Sequence, residues 1–168
     1  MKTFDIRHEP GYILYRNKHA LHQGKGIYIV YKCDYNSQDD SVDIKDILYI
    51  GQTGNIYERH NDPEKPHEHN EDFIREAGGK DHICFGEILL PDISDDDIET
   101  IEAALIHIQK PSVNTDNKSH YTKPASDITM TGGPDCWNTK RFIHPFNNGD
   151  EIANCYLSES LNDYRQNK

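Results

Sequence analysis

Gly26-Ile27-Tyr28 and Tyr49-Ile50-Gly51 decide how this chain is read. They belong to two apolar stretches, Ile27–Tyr31 and Ile47–Ile50, whose β-branched and aromatic residues have the composition of strands. Between them Asn36, Ser37, Gln38, Asp39, Asp40 and Ser41 form a polar tract with the make-up of a loop. Strand, loop, strand predicts an antiparallel hairpin with an unusually long connection over Asp34–Asp46. Alternation puts Tyr28 and Tyr49 on defined faces of adjacent strands, where cross-strand partners come within contact distance. Taken alone, two tyrosines in a hairpin are packing residues.

The chain downstream adds a pattern of polar residues. Gln52-Thr53-Gly54 predicts a turn, and Asn55 can cap a short helix-like run, Asn55–His60, that carries Arg59. Pro63 and Pro66 end that run, and a second helix is predicted over about Glu68–Ala77, stopped by Gly78-Gly79. A third strand follows, His82–Leu90, closed by Pro91. Ser94 then caps a long helix with Asp95, Asp96 and Asp97 in its first turn, where acids suit the helix dipole. Ile98, Ile101, Leu105 and Ile108 recur at helical spacing and form its core face. Glu102 falls about 40° from Ile98 on a helical wheel of roughly 100° per residue, so it borders that apolar stripe. A carboxylate there needs a cation, a metal or water as partner; a boundary glutamate reaching solvent meets the same need. Asn114 lies just past helix-ending Pro111.

Tyr28, Tyr49, Arg59, Glu102 and Asn114, in this order and at these spacings, resemble the motif set of the GIY-YIG nuclease family over roughly residues 24–116. The resemblance implies an α+β fold: a small three-stranded antiparallel sheet flanked by helices. It implies that Tyr28 and Tyr49 line the site, Arg59 contacts the scissile phosphate, Glu102 holds one divalent cation, and Asn114 positions the catalytic helix and its surroundings. The expected activity is endonucleolytic hydrolysis of phosphodiester bonds in DNA with Mg²⁺ or Mn²⁺, ions that keep most of their waters and need few protein ligands. Tyr28 is the family's candidate for taking a proton from the attacking water. A free tyrosine titrates near 10, so a base role at neutral pH needs nearby positive charge or a hydrogen-bond relay. Three positions depart from the family: the long inter-motif loop, Gln52 where some members have lysine, and Pro63 where many have His or Tyr four residues after the arginine. His60 or His67 is available to substitute for the last.

Composition bounds the reading. At 168 residues the chain suits one domain, and 35% hydrophobic against 28% charged residues predicts a small core under a very polar surface. The three parts expected are an N-terminal arm over 1–23, with one extra strand at Tyr12–Tyr15, a core over 24–116, and a C-terminal extension over 117–168 packed on or beside it. No run is long and apolar enough to span a membrane, and the N-terminus lacks a signal-peptide stretch. Cys33, Cys84, Cys136 and Cys155 are scattered without metal spacing, which reads as free thiols of a reducing, cytoplasmic compartment. His8, His19 and His22 read as solvated. His60, His67 and His69 cluster without a further ligand. The aspartates between Asp34 and Asp46 lack the glycine and closing glutamate of a calcium loop.

A formal charge of −11 is unexpected for a protein that grips phosphates. The charge is unevenly spread. Residues 27–116 carry seven cations against twenty-one acids, while Met1–Gly26 has Lys2, Arg7, Arg16, Lys18 and Lys25 against only Asp5 and Glu9. Lys118, Lys123, Lys140 and Arg141 tip the stretch 117–148 positive as well. Trp137, Phe142 and Phe146 alternate with Lys140, Arg141 and His144, a mixture that suits nucleic acid and equally suits aromatics covering a small core. Trp137, Lys140 and Arg141 are therefore the candidate nucleic-acid contacts. Asp150–Tyr164 reads as a last amphipathic helix. Besides a DNA endonuclease, the sequence leaves open an RNase on the same scaffold and a non-catalytic module or inhibitor that meets a basic protein with its acidic core.

Overall fold

The computed structural model describes residues 1–118, 121, 123–138 and the strands at 141–144 and 156–157. The fold is α+β. The hairpin is its spine: β3 (Gly26–Asn36) and β4 (Ser41–Thr53) pair antiparallel along their whole length. β5 (Ile83–Leu89) pairs antiparallel on the other side of β3, and two-residue β2 (Ile13–Leu14) adds to the outer edge of β5. The sheet order is therefore β2-β5-β3-β4, in which the fourth strand, β2, falls within the extra strand expected at Tyr12–Tyr15.

The long loop expected between the tyrosine motifs is instead strand. Pairing continues through Cys33↔Ile44 and Tyr35↔Val42 to Asn36↔Ser41, leaving a tight turn over Ser37–Asp40. Val42 and Ile44 supply period-2 apolar contacts that outweigh the aspartates around them. Side chains close the turn: Asn36 Oδ1 accepts from Gln38 N at 2.9 Å, Asp39 Oδ1 accepts from Ser41 N at 3.2 Å, and Asp40 adopts φ 52°.

Alternation along β3 builds a core on each face. Ile27, Ile29, Tyr31 and Cys33 face α3 (Asp95–Gln109) through Ile98, Ile101 and Leu105. Tyr28 and Val30 face Ile56 of α1 (Ile56–Asn61) and Phe73 of α2 (Asn70–Ala77). The caps form as the sequence predicts: Asn55 accepts from Glu58 N, Ser94 accepts from Asp97 N, and Gly78 ends α2 in the left-handed region at φ 85°.

The N-terminal arm is more structured than expected. β1 (Lys2–Arg7) pairs in parallel with β6 (Ser126–Thr131), so both ends of the described chain share a second sheet, β1-β6-β7-β8. Its other strands are β7 (Arg141–His144) and, at the edge, β8 (Tyr156–Leu157); the latter is strand where the sequence predicts a helix over Asp150–Tyr164, and the rest of that stretch lies outside the described residues. Ile6, Ile128 and Met130 join the same core as α3, so the two sheets share one interior. That second layer explains why Ala104, Ile106 and His107, off the predicted core face, are buried too.

Two expectations are overturned here. His8 is 2% exposed rather than solvated, and Trp137 is 5% exposed rather than available to nucleic acid. Trp137 Nε1 donates to Tyr31 Oη at 2.9 Å. Tyr31 in turn donates to His8 Nε2, also at 2.9 Å, and His8 Nδ1 donates to the Glu9 carbonyl at 2.8 Å. This relay ties the arm, the first sheet and the C-terminal segment together. Trp137→Phe removes the donor and leaves a gap, so we expect a loss of about 1–3 kcal/mol in denaturant unfolding. Unchanged stability would mean the relay contributes nothing to the fold. No helix among the described residues is long and apolar enough to cross a membrane.

Candidate active site

Tyr28 and Tyr49 meet as diagonal neighbours of a regular ladder: Tyr28 pairs with Gly51 and Val30 with Tyr49, so both tyrosines stand on one face. Val30 pairs with Tyr49 but the next residue, Tyr31, pairs with Ile47, so Leu48 is the extra residue of a bulge. The Tyr49 ring stacks on the Tyr28 ring, with centroids 6.0 Å apart and planes 22° from parallel. Tyr28 lies over Gly51, its register partner, and a Cβ at Gly51 would collide with the phenol ring. That glycine is required by the close approach of the ring.

The Tyr28 hydroxyl is 2.8 Å from His67 Nε2. His67 Nδ1 accepts from the His69 backbone N–H at 3.1 Å, so a neutral ring carries its proton on Nε2 and donates it to Tyr28. Burial, together with the Arg59 charge, lowers the His67 pKa to about 4, which keeps the ring neutral at physiological pH. His60 stacks on His67 at 5.3 Å and meets the Tyr28 ring edge-on at 4.5 Å. Burial lowers its pKa to about 3. The three-histidine cluster is thus aromatic packing around the tyrosines, with one member bonded to Tyr28.

Burial, then the neighbouring Tyr49, pushes the Tyr28 phenol well above its ordinary value; the Arg59 charge pulls it back and Glu102 raises it further. Arg59 projects from α1 beside the tyrosines and pairs with Glu68. Against the upward push of partial burial, the Arg59 guanidinium holds the Glu68 carboxyl down to about 2. Arg59 also lines an open cleft of about 580 Å³ with Asn55, Glu58 and Lys65, so the guanidinium borders solvent-accessible space.

Glu102 and Asn114 both sit against the free edge of β4. Asn114 is buried, and its side chain accepts from Ile50 N and donates to Ile50 O, each at 2.9 Å, while Val113 N donates to Leu48 O at 2.9 Å. The segment after α3 thus satisfies an edge that would otherwise be unpaired. Glu102 Oε1 accepts from Gln52 N at 3.1 Å, one step further along the same edge. Burial raises its carboxyl pKa to about 7, only partly offset by that hydrogen bond, and its charge reaches both Tyr28 and Tyr49.

Tyr28, Tyr49, Arg59 and Glu102 therefore converge at one end of β4, and Asn114 acts behind them by fixing Ile50. No family model matches this sequence, and comparisons with curated proteins and with solved structures found no match. The candidate nucleic-acid contacts are not part of the cluster: Trp137 is buried beside Tyr31, only the backbone of Arg141 is described, and Lys140 lies outside the described residues.

The sequence points to His67 only as one of two stand-ins for the residue missing at Pro63. The signal that selects it is spatial, because the chain between α1 and α2 folds His67 back under Tyr28. The Arg59–Glu68 pair leaves no sequence signal, since the partners lie nine positions apart across a helix end and a loop.

Among the described residues no three His, Cys, Asp or Glu side chains gather as a metal cage. Glu102 nevertheless fits an oxygen-seeking divalent ion: it is a single carboxylate, short of solvent, with no salt bridge among the described residues, and its raised pKa reflects a charge held without full compensation.

Proposed function

We propose that this chain is a divalent-metal-dependent endonuclease of the GIY-YIG type that hydrolyses phosphodiester bonds in DNA. The observation that carries this reading is the convergence of two stacked tyrosines, an arginine and one half-buried carboxylate at the end of β4. Antiparallel β4-β3-β5 flanked by α1, α2 and α3 supports it as the three-stranded core, with β2 and the second sheet as additions.

In this mechanism Glu102 would hold the ion, Mg²⁺ or Mn²⁺, which would supply charge stabilisation for the leaving oxygen. Arg59 offsets charge growing on the phosphoryl group, and a substrate phosphate must compete with Glu68 for it. Tyr28 takes the proton of the attacking water in its ionised form. The His67 Nε2–H bond and the Arg59 charge both favour that form, supplying the two kinds of help a tyrosine base requires. Tyr49 forms the apolar wall against which Tyr28 is held.

A second reading, a protein-binding module on the same scaffold, is favoured by the occupied Arg59 and by the acidic excess of residues 27–116. One assay separates them: purified protein with plasmid DNA, single-stranded DNA or RNA, in Mg²⁺, Mn²⁺ or chelator. We expect metal-dependent cleavage of DNA that chelator abolishes. Cleavage of RNA alone would change the substrate, and no cleavage in any condition would leave the module.

A further inference from the structure

The aromatic contacts around Tyr28 continue outward. Tyr28 meets His60 at 4.5 Å, His60 meets Phe85 at 4.7 Å, and Phe85 stacks on Tyr15 at 6.1 Å with planes 25° apart. Tyr15 begins a short 3₁₀ turn, Tyr15–Ala20, in the N-terminal arm, outside the nuclease-like core. The Lys18 ammonium lies 4.8 Å and the Lys80 ammonium 5.8 Å from the centre of its ring. Arg16 covers Tyr35 at 4.8 Å. A row of rings thus leaves the candidate active site and ends among three cations.

Two hollows lie along this row and share Tyr15. The inner one, about 240 Å³, is lined by Tyr15, Lys18, His60 and His67; the outer, about 450 Å³, by Tyr15, Arg16, Tyr35 and Lys80. Asp34 and Asp81 also border the outer hollow, but Asp34 is engaged by His82 at 3.2 Å and Lys45 at 3.8 Å. The row is held in place. Tyr15 Oη donates to Asn70 Oδ1 at 3.0 Å, and Asn61 of α1 donates to the Lys18 carbonyl at 2.9 Å. Ile56 N and Tyr57 N donate to the carbonyls of Gly24 and His22, so the arm and Arg59's helix are joined by backbone hydrogen bonds.

We propose that Tyr15, Arg16, Lys18 and Lys80 form a track that guides a single strand of DNA toward the cleft at Arg59, with which the inner hollow shares Asp62. This rests on the nuclease reading of that cleft. The chemistry is that of single-strand binders: ring faces for bases, and flexible cations for the phosphates between them. A strand is favoured over a duplex because the rings stand in concave hollows, and a paired base has both faces already stacked. Charge restricts the choice of route. Over a chain of net −11 a polyanion is repelled from most of the surface, and the arm that carries Arg16 and Lys18 belongs to a positively charged stretch. Cations resting over a tyrosine ring exchange that contact for a phosphate at little cost.

The test is fluorescence anisotropy of the full chain with labelled oligo-dT and with a duplex of equal length, in chelator, across a salt series. We expect parental binding to favour oligo-dT. The double variant Lys18→Ala/Lys80→Ala should raise its Kd about tenfold or more and flatten the log–log salt slope by about 1.4, at roughly 0.7 per phosphate contact on a single strand. Lys18→Arg/Lys80→Arg should restore both, which separates charge from a folding defect. Unchanged oligo-dT affinity and slope in the Ala variant would overturn the track, as would an equal loss on duplex or stronger binding of oligo-rU. Plasmid cleavage is scored separately. A parent that binds oligo-dT through these lysines yet cleaves nothing removes the nuclease and leaves the track; a parent that cleaves while the Ala variant binds normally removes the track alone.

Discussion

Glu102→Gln is expected to lower metal-dependent cleavage by at least two to three orders of magnitude while leaving the fold intact. The substitution is well matched to the local structure. Glu102 has a structural task, accepting the Gln52 N–H at the edge of β4, and the glutamine carbonyl can accept the same bond. What glutamine cannot supply is the negative charge that would attract Mg²⁺ or Mn²⁺, an effect worth several kcal/mol in the transition state. Stability gives an independent readout. In chelator, folded Glu102 keeps its proton up to about pH 7, whereas the unfolded residue releases it near its ordinary 4.5. The folded state therefore binds more protons between those values, and parental stability falls as pH rises through that window. The amide that replaces the carboxyl does not titrate, so the variant should gain on the parent from acid to pH 8 by about 1–3 kcal/mol. Added Mg²⁺ should raise the melting temperature of the parent and leave the variant unmoved, because only the parent binds it in the folded state. Near-parental cleavage in the variant would remove Glu102 from the mechanism, and a stability difference that stayed flat with pH would mean its carboxyl is not held uncompensated.

How much of this is legible in the sequence depends on the range of the interaction. The hairpin, the capped helices and the core stripe of α3 follow from period and from caps, which act within a turn or two, and Asn55, Ser94 and Gly78 behave as their residue types require. The tight turn is hidden because five aspartates between Asp34 and Asp46 outweigh the alternation of Tyr35, Val42 and Ile44, although exposed aspartates cost little on a hairpin that leaves them in water. The parallel pairing of β1 with β6 joins residues more than a hundred positions apart and leaves no local pattern. His8 and Trp137 are misread for the same reason: each is buried by its tie to Tyr31, and neither neighbourhood contains Tyr31 in sequence. At the site, order and spacing pick out Tyr28, Tyr49, Arg59 and Glu102, which do meet, and strand alternation already sets the two tyrosines on one face, but the fold-back of His67 belongs to tertiary structure.

Tyr28→Phe should abolish cleavage to a similar degree, and the parent's pH profile should show why. His67 is neutral through the physiological range, with Nδ1 occupied by the His69 N–H and its only ring proton directed at Tyr28, so it cannot take a proton from water through Tyr28 without first releasing its own. In the proposed mechanism the proton acceptor is then the tyrosine oxygen, and its ionised fraction should set the rate. Burial holds the phenol well above its ordinary value, so that fraction is small at neutral pH and grows tenfold for each pH unit. Single-turnover cleavage by the parent should therefore rise with a log–log slope near 1 from about pH 6 to 9 without a plateau, provided metal is saturating. Were a histidine of pKa about 4 the acting base, the same profile would be flat across that range. His67→Phe should keep the aromatic packing, remove the Nε2–H donor and lower the rate at every pH by about the value of one charge-assisted hydrogen bond, roughly tenfold or more. Tyr28→Phe also leaves the His67 Nε2–H without its partner in a buried place, so a stability loss of about 1–3 kcal/mol should accompany the loss of activity. The two effects separate by temperature: at about 10 °C, where unfolding is suppressed, the variant should be folded by circular dichroism and still inactive. Retained cleavage in that folded variant, or a parental profile flat between about pH 6 and 9, would take the proton transfer away from Tyr28.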